Sequence, residues 1–408
     1  MKTLLRKIII LILTLSLVLG STVSLSSCSY AVGFIGDVFN RLDGPSQESG
    51  NNNGDEEDLT LQRSAFLSSV AIIANFEIST SSYYPGTTTT EPRSMAGSGV
   101  IYKLDKTTGD AYIITNYHVV YHKDSVNTVY SQDIKVYLYG LESESYAIPA
   151  EYVGGSFAYD IAVLKVTGSE LLREAPVREA EISDSELLRV LDPVIAIGNA
   201  EGEGFSATKG SVSVDSEYLT MKGPDKVTDI TVRVIRIDTA INEGNSGGGL
   251  FDREGRLVGI VNAKKIGEKI DNIAYAIPIN LAVAVADNII YHSTDSTKSL
   301  CKYLLGVTIT EVELGLGVGE DGEIIRTARV AVTDVTTASL VFGKVKAGDT
   351  ILKITVDEKE TDVTAMHHVT ESMLAARPGS TVTLVIERDG NTHTATITVT
   401  KAMGAVTP

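Results

Sequence analysis

Three short stretches carry side chains that could perform nucleophilic chemistry together. The first, Asn242-Glu243-Gly244-Asn245-Ser246-Gly247-Gly248-Gly249-Leu250, sets one serine among glycines. A serine hydroxyl is a weak nucleophile at its own pKa. It needs a base beside it and N–H groups aimed at the developing oxyanion. Glycines serve the second need, because positive φ turns successive N–H groups to one side. The second stretch, Ala111-Tyr112-Ile113-Ile114-Thr115-Asn116-Tyr117-His118-Val119-Val120, is a β-rich run that ends on a histidine suited to be the base. The third, Tyr159-Asp160-Ile161-Ala162-Val163-Leu164-Lys165-Val166, puts an aspartate at the mouth of an apolar strand. Singly, each has a plain structural reading: a hairpin loop, a packed histidine, a capped turn. Together, in the order His118, Asp160, Ser246, they have the composition of an acyl-transfer triad.

That chain order is the one found in chymotrypsin-like double β-barrels, and it differs from subtilisins and α/β-hydrolases. The stretches Thr-Asn-x-His-Val-Val, Asp-Ile-Ala-Val-Leu and Gly-Asn-Ser-Gly-Gly resemble those of the HtrA/Deg serine proteases. The resemblance runs from about Ser64 to Lys401. It implies a mostly β fold: a chymotrypsin-like double six-stranded β-barrel followed by a PDZ-like domain. It also implies an oxyanion hole from the N–H groups of Gly244 and Ser246, with Asn245 inside the same loop. If the strand after the serine turn lines the specificity pocket, Ile241, Ile260, Val261 and Asn262 contribute, and a small aliphatic side chain would fit. Tyr303-Leu304-Leu305-Gly306-Val307 resembles a PDZ carboxylate-binding loop, which makes Leu304, Leu305, Gly306 and Val307 the expected peptide-end site. Relatives are commonly homotrimers. Two positions depart from the family pattern: Glu243 and Gly249 stand where prolines are usual, and both should loosen the loop.

The elements that must hold these residues follow from apolar periodicity. Strands are expected at 70–78, from 97–102, and at 111–116, 133–139, 147–153 and 161–166 for one barrel. For the other they are expected from 194–199 through 205–213, 232–241, 257–261 and 272–278. The segments 79–95 and 217–228 read as loops, 280–291 as an apolar closing helix, and 364–375 as a helix of the second domain. The expected divisions are 1–28, a lipoprotein-type signal; 29–62, a flexible acidic linker; 63–295, the protease domain; and 296–402, the PDZ-like domain.

Lys2, Arg6 and Lys7 precede an apolar core from Ile8 to Leu19, and Leu25-Ser26-Ser27-Cys28 has the form of a lipobox. Cys28 is then the lipidated mature N-terminus of a bacterial lipoprotein; a retained transmembrane anchor is the alternative. Either places the folded part in the cell envelope, outside the cytoplasm and tethered to a membrane. The net charge of −17 and the absence of tryptophan argue against nucleic acid as a partner. Two cysteines, Cys28 and Cys301, do not make a disulfide framework. No cluster has metal-ligand spacing, His118 and His122 included, and no cofactor is expected. The absence of a phosphate-binding glycine loop fits ATP independence. The expected function is a serine endopeptidase cleaving misfolded or unfolded exported proteins, with the PDZ-like domain binding peptide C-termini. The alternatives are a chaperone-like peptide-binding surface protein without turnover and a dedicated signalling protease.

Overall fold

Short β-branched runs broken by glycine and polar turns can bury their apolar faces only against other strands. The computed structural model describes residues 60–81, 88–262, 273–293, 298–318, 322 and 324–407, all within one compact unit, Asn53–Pro408. Cys28 and the rest of the expected signal and linker up to residue 59 lie outside the described residues. Among the described residues no helix is long and apolar enough to cross a membrane.

The first barrel contains β1 (Ser69–Ser81), β2 (Thr88–Asp105), β3 (Asp110–Thr115), β4 (Asp133–Leu138), β5 (Ile148–Ser156) and β6 (Ile161–Val166). It closes in the order β1-β2-β3-β6-β5-β4. The second contains β7 (Pro193–Gly198), β8 (Ser206–Lys222), β9 (Asp229–Ile237), β10 (Gly249–Phe251), β11 (Leu257–Asn262) and β12 (Ala274–Pro278), and closes as β10-β11-β12-β9-β8-β7. Closure pairs the sheet edges that an open sheet would leave bare. Helix α1 (Tyr117–Val120) follows β3, α2 (Glu170–Glu174) follows β6, and α3 (Ile279–Tyr291) follows β12.

The chain then forms β13 (Leu300–Tyr303), which pairs with the terminal β20 (Gly404–Thr407) and so carries the second domain past the expected limit at 402. Its main sheet runs β14 (Val307–Val318), β15 (Ile324–Val335), β16 (Thr350–Val356), β18 (Thr381–Arg388) and β19 (Asn391–Thr398), with β17 (Lys359–Asp362) on β16. Helix α4 (Met366–Ser372) precedes a 3-10 turn, Met373–Ala375, so the expected helix over 364–375 is divided.

Two expected loops contain strand: the described residues of 79–95 and the first half of 217–228. Residues from Thr88 onward pair with β1 as far as Ser81↔Thr88, and Glu217 to Lys222 pair with β9. The β2 arm is exposed from Thr88 to Ser94 and lacks the apolar alternation that marks a half-buried strand. On the β8 arm Leu219 and Met221 face inward between exposed Tyr218, Thr220 and Lys222, a two-residue alternation too short to stand out in the sequence.

The principal core lies in the seam between the barrels. Ile114 and Val163 come from the first, Ile197, Phe251 and Ile260 from the second, and Leu281, Val285 and Ile289 from α3. Leu374 of the C-terminal domain joins the same cluster, while Val330, Ile351, Leu384 and Ile386 belong to that domain's own core. Asn288 on α3 is fully buried where the two meet. Its Nδ2 donates to the carbonyls of Cys301 (2.8 Å) and Leu374 (2.9 Å), and its Oδ1 accepts the Cys301 N–H (3.0 Å). A buried amide is stable only with such partners, and removing it leaves backbone groups unsatisfied. Asn288→Ala should therefore destabilise the protein by about 3 kcal/mol, read as a lower urea midpoint.

Candidate active site

The three chemical side chains sit at strand ends, where turns are free to aim them. His118 is on α1, directly after β3; Asp160 is the last residue before β6; Ser246 is in the loop between β9 and β10. Asp160 has no solvent exposure and a φ of +52°, an uncommon conformation outside glycine. That turn is stitched to the His118 segment: the Asp160 carbonyl accepts Asn116 Nδ2 (2.9 Å) and the Tyr117 N–H (3.1 Å).

The Asp160 carboxylate is the centre of the arrangement. Its Oδ1 accepts the His118 backbone N–H at 2.9 Å. Its Oδ2 faces His118 Nδ1 at 2.8 Å and accepts Asn262 Nδ2–H at 2.9 Å. A neutral imidazole that donates Nδ1–H to a carboxylate keeps its lone pair on Nε2, the form that can take a proton from a hydroxyl. Beneath α1, Tyr117 packs with Tyr121, Tyr152 and Phe157. Burial pushes the Tyr117 phenol up to about 12, so this support stays uncharged.

The Ser246 loop is held from both barrels. The Ser98 N–H on β2 donates to the Ser246 carbonyl (2.8 Å). Ser98 Oγ donates to the Gly244 carbonyl (2.7 Å) and accepts the Asn199 N–H (2.8 Å). The Gly247 N–H donates to the Val261 carbonyl at 2.9 Å. Gly244 and Gly247 have φ of +91° and +83°, and a Cβ would collide with the Asn199 carbonyl at the first and the Ser98 carbonyl at the second. Glycine is required at both.

His118, Gly244 and Ser246 line a cleft of about 940 Å³. Residues 93–96 of β2 and 223–226 of the β8–β9 turn also border it. Not every expected site residue is there. The Asn245 N–H is committed to the Asn242 carbonyl (3.2 Å) and its side chain is buried, so it offers the cleft no donor. The expected pocket residues Ile260, Val261 and Asn262 are also buried rather than cleft-lining, because β11 is a central strand covered on both faces. Ile241 packs on the interior of the second barrel. Asn262 instead holds Asp160, and the cleft walls include Met95, Ala96, Met221 and Glu243.

Gly249 is buried at the start of β10, where a Cβ would strike the Phe251 ring. The departure from proline is therefore a packing exchange in a paired strand. Glu243 borders the cleft, and its carbonyl accepts the Glu201 N–H at 2.6 Å. His122 also borders the cleft, with Nδ1 accepting the Asp124 N–H, apart from the His118–Asp160 pair. The residues missed in sequence are Ser98 and Asn199, and Asn262 was expected in the pocket rather than on Asp160. Only Ser98 had a local signal, its place between Gly97 and Gly99.

In the C-terminal domain, Leu304, Leu305 and Gly306 form the connection into β14, whose first residue is Val307. Gly306 has a φ of +69°, its carbonyl accepts the Thr336 N–H, and Ser339 Oγ donates to the Leu305 carbonyl. Strand β14 is an edge of its sheet.

A trypsin-like peptidase domain model matches residues 97–260, and a PDZ domain model matches 304–399. The chain is 30% identical over 325 residues to the Do-like HtrA serine protease of Lactococcus lactis subsp. cremoris, covering 76% of this chain and 72% of that protein. The Do-like HtrA serine protease of Bacillus subtilis is 32% identical over 223 residues, covering 55% of this chain and 44% of its own. Among solved structures, the HtrA-type protease AlgW with tripeptide superposes with a TM-score of 0.52 at 26% identity, covering 85% of this chain and 97% of that one. AlgW with decapeptide gives 0.52 at 24% identity, covering 86% and 99%.

Removing the Asn262 amide deletes one hydrogen bond to a buried carboxylate, worth roughly 1.5–3 kcal/mol. Asn262→Ala should lower kcat roughly 10- to 100-fold with little change in KM. Asp160→Asn should lower kcat by about 10⁴-fold, through the wrong imidazole tautomer. Steady-state kinetics on a peptide reporter checks both.

Proposed function

The chain belongs to the Do-like HtrA family of serine endopeptidases, and from that premise we propose that Ser246 is its nucleophile, His118 its general base and acid, and Asp160 the group that orients the imidazole. The observation that supports this most is His118 held by Asp160 at the cleft that Ser246 also borders. In the first step Ser246 Oγ bonds to the scissile carbonyl carbon while His118 Nε2 takes the hydroxyl proton. The oxyanion that forms is met by the N–H groups of Gly244 and Ser246, each worth roughly 3 kcal/mol in the transition state. The C–N bond then breaks as His118 returns the proton to the leaving amine. Water repeats the sequence on the acyl-enzyme and regenerates Ser246.

The substrates we infer are unfolded or misfolded exported polypeptides, cleaved without ATP. Peptide C-termini bind at Leu304, Leu305, Gly306 and Val307 and extend the exposed edge of β14, as backbone capture at a sheet edge requires. The AlgW structures with a tripeptide and a decapeptide support a peptide ligand for this architecture. Peptide binding there also regulates cleavage. The working form is a homotrimer in the cell envelope, anchored through lipid on Cys28.

Ser246→Ala should abolish both peptide hydrolysis and labelling by a fluorophosphonate probe. Full hydrolysis by the purified variant would overturn the assignment. Cys28→Ala should block lipid attachment and leave an unprocessed precursor on immunoblots, whereas a lipid-free mature protein beginning upstream of Cys28 would favour an uncleaved anchor.

A further inference from the structure

Glu186 lies in a 3-10 turn of the protease domain, Ser185–Leu187, and meets the first turn of α4, 181 residues further along the chain. Its Oε1 pairs with Arg233 Nη1 at 2.9 Å. Its Oε2 faces His367 Nε2 at 3.2 Å and His368 Nε2 at 3.5 Å. The two imidazoles lie against each other with ring centroids 4.3 Å apart, and the three donor atoms fall within 4.8 Å of one another. A tetrahedral ion bonded to nitrogen and oxygen at roughly 2.0–2.1 Å spaces its ligand atoms about 3.3 Å apart. The two observed N···O separations bracket that value.

We propose that Glu186, His367 and His368 bind a divalent transition-metal ion of the zinc class, one that bridges the protease and PDZ domains. Two imidazoles and a carboxylate suit zinc and its neighbours, whereas calcium and magnesium take oxygen ligands. The charge balance favours a cation: Glu186 and Glu371 carry two negative charges against the one positive charge of Arg233. Arg233 occupies Oε1 and leaves Oε2 for the ion, the orienting role of an outer-shell partner. The imidazoles are sheltered, with His367 and His368 side chains 9% and 16% exposed, while Glu186 at 34% opens the site to an incoming ion and a water at the fourth position.

Thr364 completes the setting behind His368. Its N–H is 3.2 Å and its hydroxyl 3.5 Å from Nδ1. Without an ion, the N–H directs the His368 proton to Nε2, towards Glu186. An ion on Nε2 moves that proton to Nδ1, so the Thr364 N–H must turn away from the ring and the Thr364 hydroxyl, as acceptor, take its place. The neutral ring gains and loses no proton overall.

The test is a titration of the untagged full chain, stripped of metal by chelation. Cobalt(II) is followed by its visible absorption, and zinc by competition with a chromophoric chelator. The expected result is one ion per chain, a tetrahedral cobalt spectrum, and at least tenfold weaker binding in Glu186→Gln and in His367→Ala, with His393→Ala, at an exposed position of β19, unchanged. Circular dichroism and reporter hydrolysis establish that each variant is folded. A wild-type chain that takes up no stoichiometric cobalt or zinc overturns the proposal, and this arm needs no variant. Binding that survives the double substitution His367→Ala/His368→Ala also overturns it, because the ion then sits elsewhere.

Discussion

A carboxylate with no access to water is the constraint on which the rest of the site depends. Burying an unpaired charge is prohibitively unfavourable, so the Asp160 side chain must be met by donors wherever the fold places it. The donors come from both barrels: His118 from the first, through its backbone N–H and ring, and Asn262 from the second. Neither barrel alone completes the set. The same hydrogen bonds that make the burial tolerable fix the imidazole tautomer and its direction. Stability of the seam and readiness for chemistry are thus one requirement.

The serine loop shows the same division of labour. Its glycines allow the backbone to pass against Asn199 and Ser98, and its carbonyls at Gly244 and Ser246 are held by Ser98 of the opposite barrel. Behind it, Phe251 fills the space a side chain at Gly249 would occupy, which ties the loop's exit to the apolar core. The glycines supply permissive backbone, and Ser98 of one barrel with Val261 and Glu201 of the other supplies the restraint that makes one conformation persist.

The junction with the C-terminal domain combines an apolar contact, a buried amide and buried charge. Leu374 enters the seam core, Asn288 saturates backbone groups of the linker strand and of the 3-10 turn, and Arg233 forks onto Glu371 at 2.7 and 2.6 Å. Burial works against charge on Glu186, yet hydrogen bonds from His367 and His368 and the Arg233 charge outweigh it and hold the carboxyl well below its usual range. Such pairs add little net stability compared with apolar packing, but they penalise strongly any arrangement that separates the partners. They are therefore suited to defining one relative placement of α4 and the protease domain.

The sequence motifs led, through the family they resemble, to the double barrel and the PDZ-like domain, and they singled out His118 and Asp160, which the fold pairs, and Ser246, which borders the same cleft as His118. Glycine content, strand periodicity and motif order are short-range properties that a linear reading captures. The arm of β2 escaped it because pairing that leaves side chains in water imposes no apolar alternation, and the arm of β8 because its alternation is confined to Leu219 and Met221. The role of Ser98, the diversion of Asn262 from pocket to Asp160, and the meeting of Glu186 with His367 and His368 were decided only by tertiary structure. Each depends on barrel closure or domain docking, which sets the register between segments far apart in the chain. Hydrogen bonding across such a register leaves no periodic trace in either segment alone.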